Sequence, residues 1–409
     1  FETMTRVAGT VTQDLGFEYV GDLLTQLSFG TTAVGDYTYE YDQSFRLTAR
    51  DLSSGGDDAP YALSYDSDGL LTAFGGFTVS REVASALPIR LADGTAEHDL
   101  TFDAVGRLQS RAWGVNGAPV YIEQVSYDAA GRVVQRTETV SGTTSAYAYT
   151  YDANGFLATV TKNGVAVEEY AYDARGNRTS RTANGGATEA SIYDLQDRLQ
   201  TRHGTLYSFD ADGFLAQRGA DTFDFGARGE MLGAVVDGQS VTYGYDGYGR
   251  RTSRTTAAGP TQFLYGNPQH QRQLTASRDT AGVLTTYFYD EGGRLIAFER
   301  SGARYYVAGD MLGTPKAVVD ANGTVVKTMA WDAFGSLLSD SNAGFALEIG
   351  FAGGLRDPLT GLTRFGVRDY EPASGRWTSR DPALFATRQT NLYAYVANDP
   401  VNKIDPVGL

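Results

Sequence analysis

The 409-residue chain contains no cysteine, which excludes disulfides, thiolate metal sites and a cysteine nucleophile. Histidine is scarce: His98, His203 and His270 are scattered, without the spacing of metal ligands, so no metal is expected. Methionine (4) and tryptophan (3) are few as well. Basic residues are outnumbered, 34 against 49 acidic ones, giving a net charge of −15 and no basic stripe, so nucleic acid is not an expected partner. No apolar run approaches the roughly 18 residues of a membrane-spanning helix, and no signal peptide is visible. A glycine-rich phosphate loop followed by Lys-Ser/Thr is lacking, and no cofactor is expected. The chain starts Phe1-Glu2-Thr3 without an initiator methionine, read as a processed or shortened chain with more wall upstream.

Glycine (49) and tyrosine (26) are plentiful, a composition of strands and tight turns. An aromatic-Asp pair recurs along the chain: Tyr41-Asp42, Tyr65-Asp66, Phe102-Asp103, Tyr127-Asp128, Tyr151-Asp152, Tyr172-Asp173, Tyr193-Asp194, Phe209-Asp210, Tyr245-Asp246, Tyr289-Asp290 and Trp331-Asp332. In Tyr147-Ala148-Tyr149-Thr150-Tyr151 the rings alternate with small residues and fall on one strand face. Asp152 can bond its own downstream backbone, and Asn154-Gly155 tolerates positive φ, so the chain reverses there. Second turns such as Asn163-Gly164 and Asp237-Gly238 make each unit about one β-hairpin. The acidic turns are too sparse in oxygen for a calcium loop. The tyrosine rows could stack on sugars, although regular recurrence is also what wall packing requires.

These residues resemble the YD-repeat, or Rhs, family over nearly the whole chain, faintly in 1–36 and 253–285. The resemblance implies an all-β fold of spiralling antiparallel β-hairpin repeats, a YD-repeat shell or cocoon, ending in a curled core plug. The expected division is 1–300 for the shell wall and 301–409 for an Rhs-associated core. That core is carried by Leu312-Gly313-Thr314-Pro315, Trp331-Asp332-Ala333-Phe334-Gly335, Gly354-Leu355-Arg356-Asp357-Pro358 and Val367-Arg368-Asp369-Tyr370. The glutamate in Asp369-Tyr370-Glu371-Pro372 and the glycine-poor 383–390 stretch depart from the family pattern.

In bacterial Rhs effectors and Tc-toxin C components, the resemblance implies, such a core cuts the chain after the Leu of an Asp-Pro-x-Gly-Leu motif. Here that motif is Asp405-Pro406-Val407-Gly408-Leu409, with Leu409 as the scissile residue and Gly408 allowing a tight turn. Asp381 and Asp405 would form a two-carboxylate pair sharing one proton, and Arg380 would orient a carboxylate or steady the oxyanion. Asp-Pro pairs also serve as plain turns. The first functional reading is therefore a shell that encloses its own C-terminal toxin domain and frees it by aspartyl-type autoproteolysis. That reading implies no external substrate, and upstream shell or secretion-system partners. It also implies a secreted or translocated bacterial effector, cytoplasmic before export. The alternative is a cell-surface adhesion or carbohydrate-binding protein like the animal teneurins, without catalysis.

Overall fold

The computed structural model describes residues 2–8, 11–384 and 389–409. Phe1 and residues 385–388 of the 383–390 stretch singled out above lie outside the described residues. The fold is all-β, as the repeat implies. Six strands from Glu2–Ala8 to Asp57–Ala59 form one antiparallel sheet. A longer ladder, each strand paired to the next, runs from Leu63–Tyr65 to Leu337–Asp340. The two are joined by the bridge Ala49–Ala62 and by the Arg50 N–H donating to the Tyr61 carbonyl at 2.9 Å. A small four-stranded sheet, Leu355–Arg356 to Arg376–Trp377, follows, and the helical turns Phe351–Gly353 and Val396–Asn398 are single 3₁₀ turns.

Why these residues make hairpins is visible at Asp152. Its Oδ1 accepts from the backbone N–H of Asn154 (2.8 Å) and Phe156 (2.9 Å), while its carbonyl accepts from Gly155 (3.0 Å). Only Gly155 uses a positive φ, 83°, so the Asp closes the turn and the glycine supplies the one left-handed residue. The opposite ends of the hairpins are true two-residue turns, with both residues at positive φ: Asn163 51° and Gly164 80°, Asp237 50° and Gly238 75°. The aromatic residue before the Asp sits at a bulge, as between Thr150 and Tyr151 or Ser126 and Tyr127. A bulge at the same place in successive units bends each strand alike, which curls the sheet into a spiral.

The tyrosines point inward. Tyr37, Tyr39, Tyr149, Tyr170, Tyr243 and Tyr245 are buried. Their hydroxyls explain why the motif prefers Tyr to Phe. The Tyr65 hydroxyl donates to the Leu47 carbonyl (3.0 Å), Tyr127 to Leu108 (2.7 Å), Tyr151 to Val133 (2.7 Å) and Tyr172 to Leu157 (2.9 Å). Each aromatic residue thus ties its unit to the preceding one. The arginine four residues after the Asp completes the lock. Arg107 pairs with Asp103 at 2.7 Å and lies over the next ring, Tyr127, at 4.4 Å; Arg132 does the same with Asp128 and with Tyr151 at 4.6 Å.

After about two hundred residues the chain returns alongside itself, joined by side chains. Asn116 donates to the Ala321 carbonyl at 3.0 Å, and the Tyr37 hydroxyl meets Thr275 Oγ1 at 2.7 Å. Buried aromatics fill the seam, with Phe77 against Tyr306 and Tyr61 against Phe288. The last segment lies across the wall: Asp369 binds Arg251 at 2.9 Å, Asp357 accepts from the Tyr243 hydroxyl at 2.6 Å, and Asn391 donates to Asn177 at 2.7 Å.

Candidate functional site

The chain's final turn is set by its own sequence. Asp405 Oδ1 accepts from the backbone N–H of Gly408 (2.8 Å) and Leu409 (3.2 Å), closing the turn as the repeat aspartates do. Gly408 has φ 68°, and a Cβ there would strike the Phe365 carbonyl. Opposite it, Gly366 has φ 45°, and a Cβ would run into the Val407 carbonyl. The tail and the Phe365–Arg368 corner therefore close on each other through glycines on both sides. The Val367 N–H donates to the Val407 carbonyl at 3.1 Å.

Asp381 sits at another Asp-Pro turn. Its Oδ1 accepts from the Ala383 N–H at 2.8 Å, and its own N–H donates to the Leu392 carbonyl at 2.9 Å. The two expected carboxylates both lie against a residue to which the sequence reading gave no role. Arg368 Nη2 lies 3.4 Å from Asp381 Oδ2 and 3.3 Å from Asp405 Oδ2. Its Nε donates to the Gly408 carbonyl at 2.8 Å, and its guanidinium lies 4.1 Å from the Trp377 ring centre. Burial pulls the Arg368 pKa below its ordinary value, with Asp381 and Asp405 opposing that. Burial also raises the Asp405 carboxyl, against the turn's N–H groups and Arg368.

Arg380 is placed elsewhere. It is exposed, and its side chain runs beside Gly213, whose carbonyl accepts from the Tyr393 hydroxyl. Leu409 is 49% exposed, whereas the Gly408 position is buried. The arrangement is a charged clasp: one guanidinium grips two turns and a carbonyl of the tail.

Two other groups of charge were not apparent in the sequence because strands far apart supply them. Glu123, fully buried, faces Arg111, Arg136, Glu138 and Asp310. Burial, then Asp310, push its pKa up to about 7, while Arg136 and Arg111 pull the other way. Glu168 is likewise raised to about 7 by burial and by Asp332. His98, the one buried histidine among the described residues, stacks on Trp113 at 4.3 Å, and burial holds it neutral. It is a packing residue, and no group of three or more metal-ligating side chains occurs among the described residues.

Residues 2–401 match the family model described as the teneurin YD-shell. Teneurin-4 of Mus musculus is 33% identical over 406 residues, which cover 94% of this chain and 14% of the relative. Teneurin-3 of Mus musculus is 34% identical over 391 residues, 91% of this chain and 14% of the relative. The chain thus spans about one seventh of the length of these curated relatives. Among solved structures, the TcdB2-TccC3-Cdc42 crystal structure superposes with a TM-score of 0.70 at 17% identity, covering 98% of this chain and 22% of the other. That likeness is one of fold. The relatives correct two expectations: a toxin-enclosing, self-cleaving shell, and a translocated bacterial effector that is cytoplasmic before export. The alternative reading, adhesion without catalysis, fits them better. The chain belongs to the teneurin YD-shell family.

Proposed function

We propose that this chain is the shell portion of a cell-surface adhesion protein, a rigid recognition body and not a catalyst. The observation that carries the reading is the family match across residues 2–401, with teneurins as relatives over more than nine tenths of the chain. A wall whose repeats are tied to one another by tyrosine hydroxyls and arginines suits that task. It holds a large outer surface in fixed shape, so little ordering entropy is lost when a partner docks. The partners of this reading are glycans or proteins on an opposing cell surface.

Within it, residues 301–409 act as the closing end of the shell, in keeping with their likeness to an Rhs-associated core. Asp381, Asp405 and Gly408 serve there as parts of the clasp around Arg368, fixing the tail against the wall. Leu409 rides on the same turn, and Arg380 contributes to the outer surface. The test is direct. Beads carrying the 409-residue chain should retain animal cells in a saturable way, and soluble chain should compete. Retention equal to that of beads carrying an unrelated β-protein would overturn the adhesion reading.

A further inference from the structure

A cavity of about 510 Å³ lies where the wall, the 265–275 crossing and the tail come together. Its size is that of a small-molecule site, about 300–1,000 Å³. In a chain of net charge −15 its lining is unexpectedly basic: Arg250, Arg251, Arg272, Arg294 and Arg364 border it, against Glu291. Glu291 is itself engaged by Arg81 at 2.5 Å.

Several of these guanidiniums have spare donors. Arg250 is 4% exposed; its Nε binds Asp246 at 2.6 Å and its Nη1 donates to the Gln271 carbonyl at 3.0 Å, yet its Nη2 has no partner. Arg364, 5% exposed, binds Asp369 through Nη1 at 2.7 Å and leaves its Nε unpaired. Arg272 Nη1 is buried without a partner, and Arg272 makes no ion pair with any described residue. Burial and then the charges of Arg364 and Arg250 pull the Arg272 pKa below its ordinary value, with Asp246 opposing, so Arg272 is a cation without an ion pair beside two that have one. Buried N–H donors without acceptors are costly, and buried like charges more so. An arrangement of this kind is relieved by an anion.

We propose that this cavity is a binding site for a compact anion bearing tetrahedral oxyanion groups, a phosphate or sulfate ester, gripped by Arg250, Arg272 and Arg364. Guanidinium forks match such oxygens geometrically. The neighbouring Ile404, Pro406 and Val407 side of the cavity is apolar, so the ligand's charged end faces the arginines and its uncharged part faces the tail. The inference is independent of the adhesion reading.

The experiment is calorimetric titration of the intact chain with pyrophosphate, sulfate and glycerol phosphate at constant ionic strength, with acetate and chloride as controls. Saturable one-site binding of a tetrahedral oxyanion, and not of acetate, is expected. Preference between the phosphate and sulfate arms identifies the ester. R272Q should weaken binding at least ~10-fold, the loss of one charge-assisted contact. Because Arg272 has no ion pair to lose and faces like charge, the same variant should also melt at or above the wild-type temperature without ligand. Those opposite signs separate a binding role from a structural one. No binding of any oxyanion, or equal affinity in R272Q, would overturn the proposal. Binding to the wild-type chain reproduced by chloride at equal ionic strength would do the same.

Discussion

Removing one hydroxyl from the repeat aromatic is the sharpest probe of how the wall is held. Tyr127 makes a single hydroxyl bond, to the Leu108 carbonyl at 2.7 Å. Tyr151 makes two: it donates to the Val133 carbonyl at 2.7 Å and accepts from Asn402 Nδ2 at 2.8 Å. A net hydrogen bond is worth about 1 kcal/mol, so Tyr127→Phe should cost about 1 kcal/mol and Tyr151→Phe about twice that. Both variants keep the ring, and with it the stacking of Arg107 and Arg132. Tyr127→Ala loses the ring as well and should cost about 3 kcal/mol or more. Melting is a poor assay here. At roughly 2.1 cal/mol/K per residue, 1 kcal/mol in 409 residues moves the midpoint only about 1 °C. Urea unfolding followed by tyrosine fluorescence, with unchanged m-values, reads the loss more cleanly. Equal and negligible losses for both Tyr→Phe variants would show that the hydroxyls do not tie the units, and the locking argument would fall.

Two further outcomes follow from the charged sites. Glu123 is raised to about 7 by burial and by Asp310, so its folded form binds a proton that the unfolded chain releases near its ordinary 4.5. The stability it contributes is complete below about 4.5 and is lost as pH rises through about 7. Glu123→Gln should flatten that decline and raise the urea midpoint at pH 8; an unchanged slope between pH 5 and 8 would contradict the assignment. At the clasp, Arg368→Met removes the cation between Asp381 and Asp405 and the donor to the Gly408 carbonyl. Carboxypeptidase should then shorten the tail several-fold faster while the wall stays protease-resistant, whereas an unchanged rate would mean that the clasp does not hold the tail.

The fold was legible because the repeat writes its turns in residue types with few alternative uses. Asp152 capping its turn and the paired positive φ of Asn163-Gly164 both follow from local chemistry. The faint regions were still strands: Val11–Val20 and Leu23–Thr31 near the start, Arg251–Thr256 and Gly259–Leu264 later. Their tertiary pairing overrides weak local signals. The reach of each tyrosine hydroxyl was not read, although the recurring spacing between the aromatic residue and the aliphatic residue of the previous unit was there to find. At the tail, the sequence paired Asp381 with Asp405 and gave Arg380 the supporting role, whereas both carboxylates lie against Arg368 and Arg380 is exposed. Arg368, in the strand Arg368–Glu371, is directed into the interior, while Arg380 precedes a turn and faces outward. The arginines of the cavity are contributed by separated stretches of chain, so no local pattern could announce them.

The central claim is that the repeats form one locked wall running to residue 340, with the tail fastened to it. Hydrogen exchange resolved by mass spectrometry across the whole chain tests it most directly. Amides of the ladder from Leu63 to Asp340 should exchange as one slow, cooperative body, with Arg368–Glu371 protected alongside them. Fast, independent exchange of 301–340, or of a block of repeats within the wall, would contradict it.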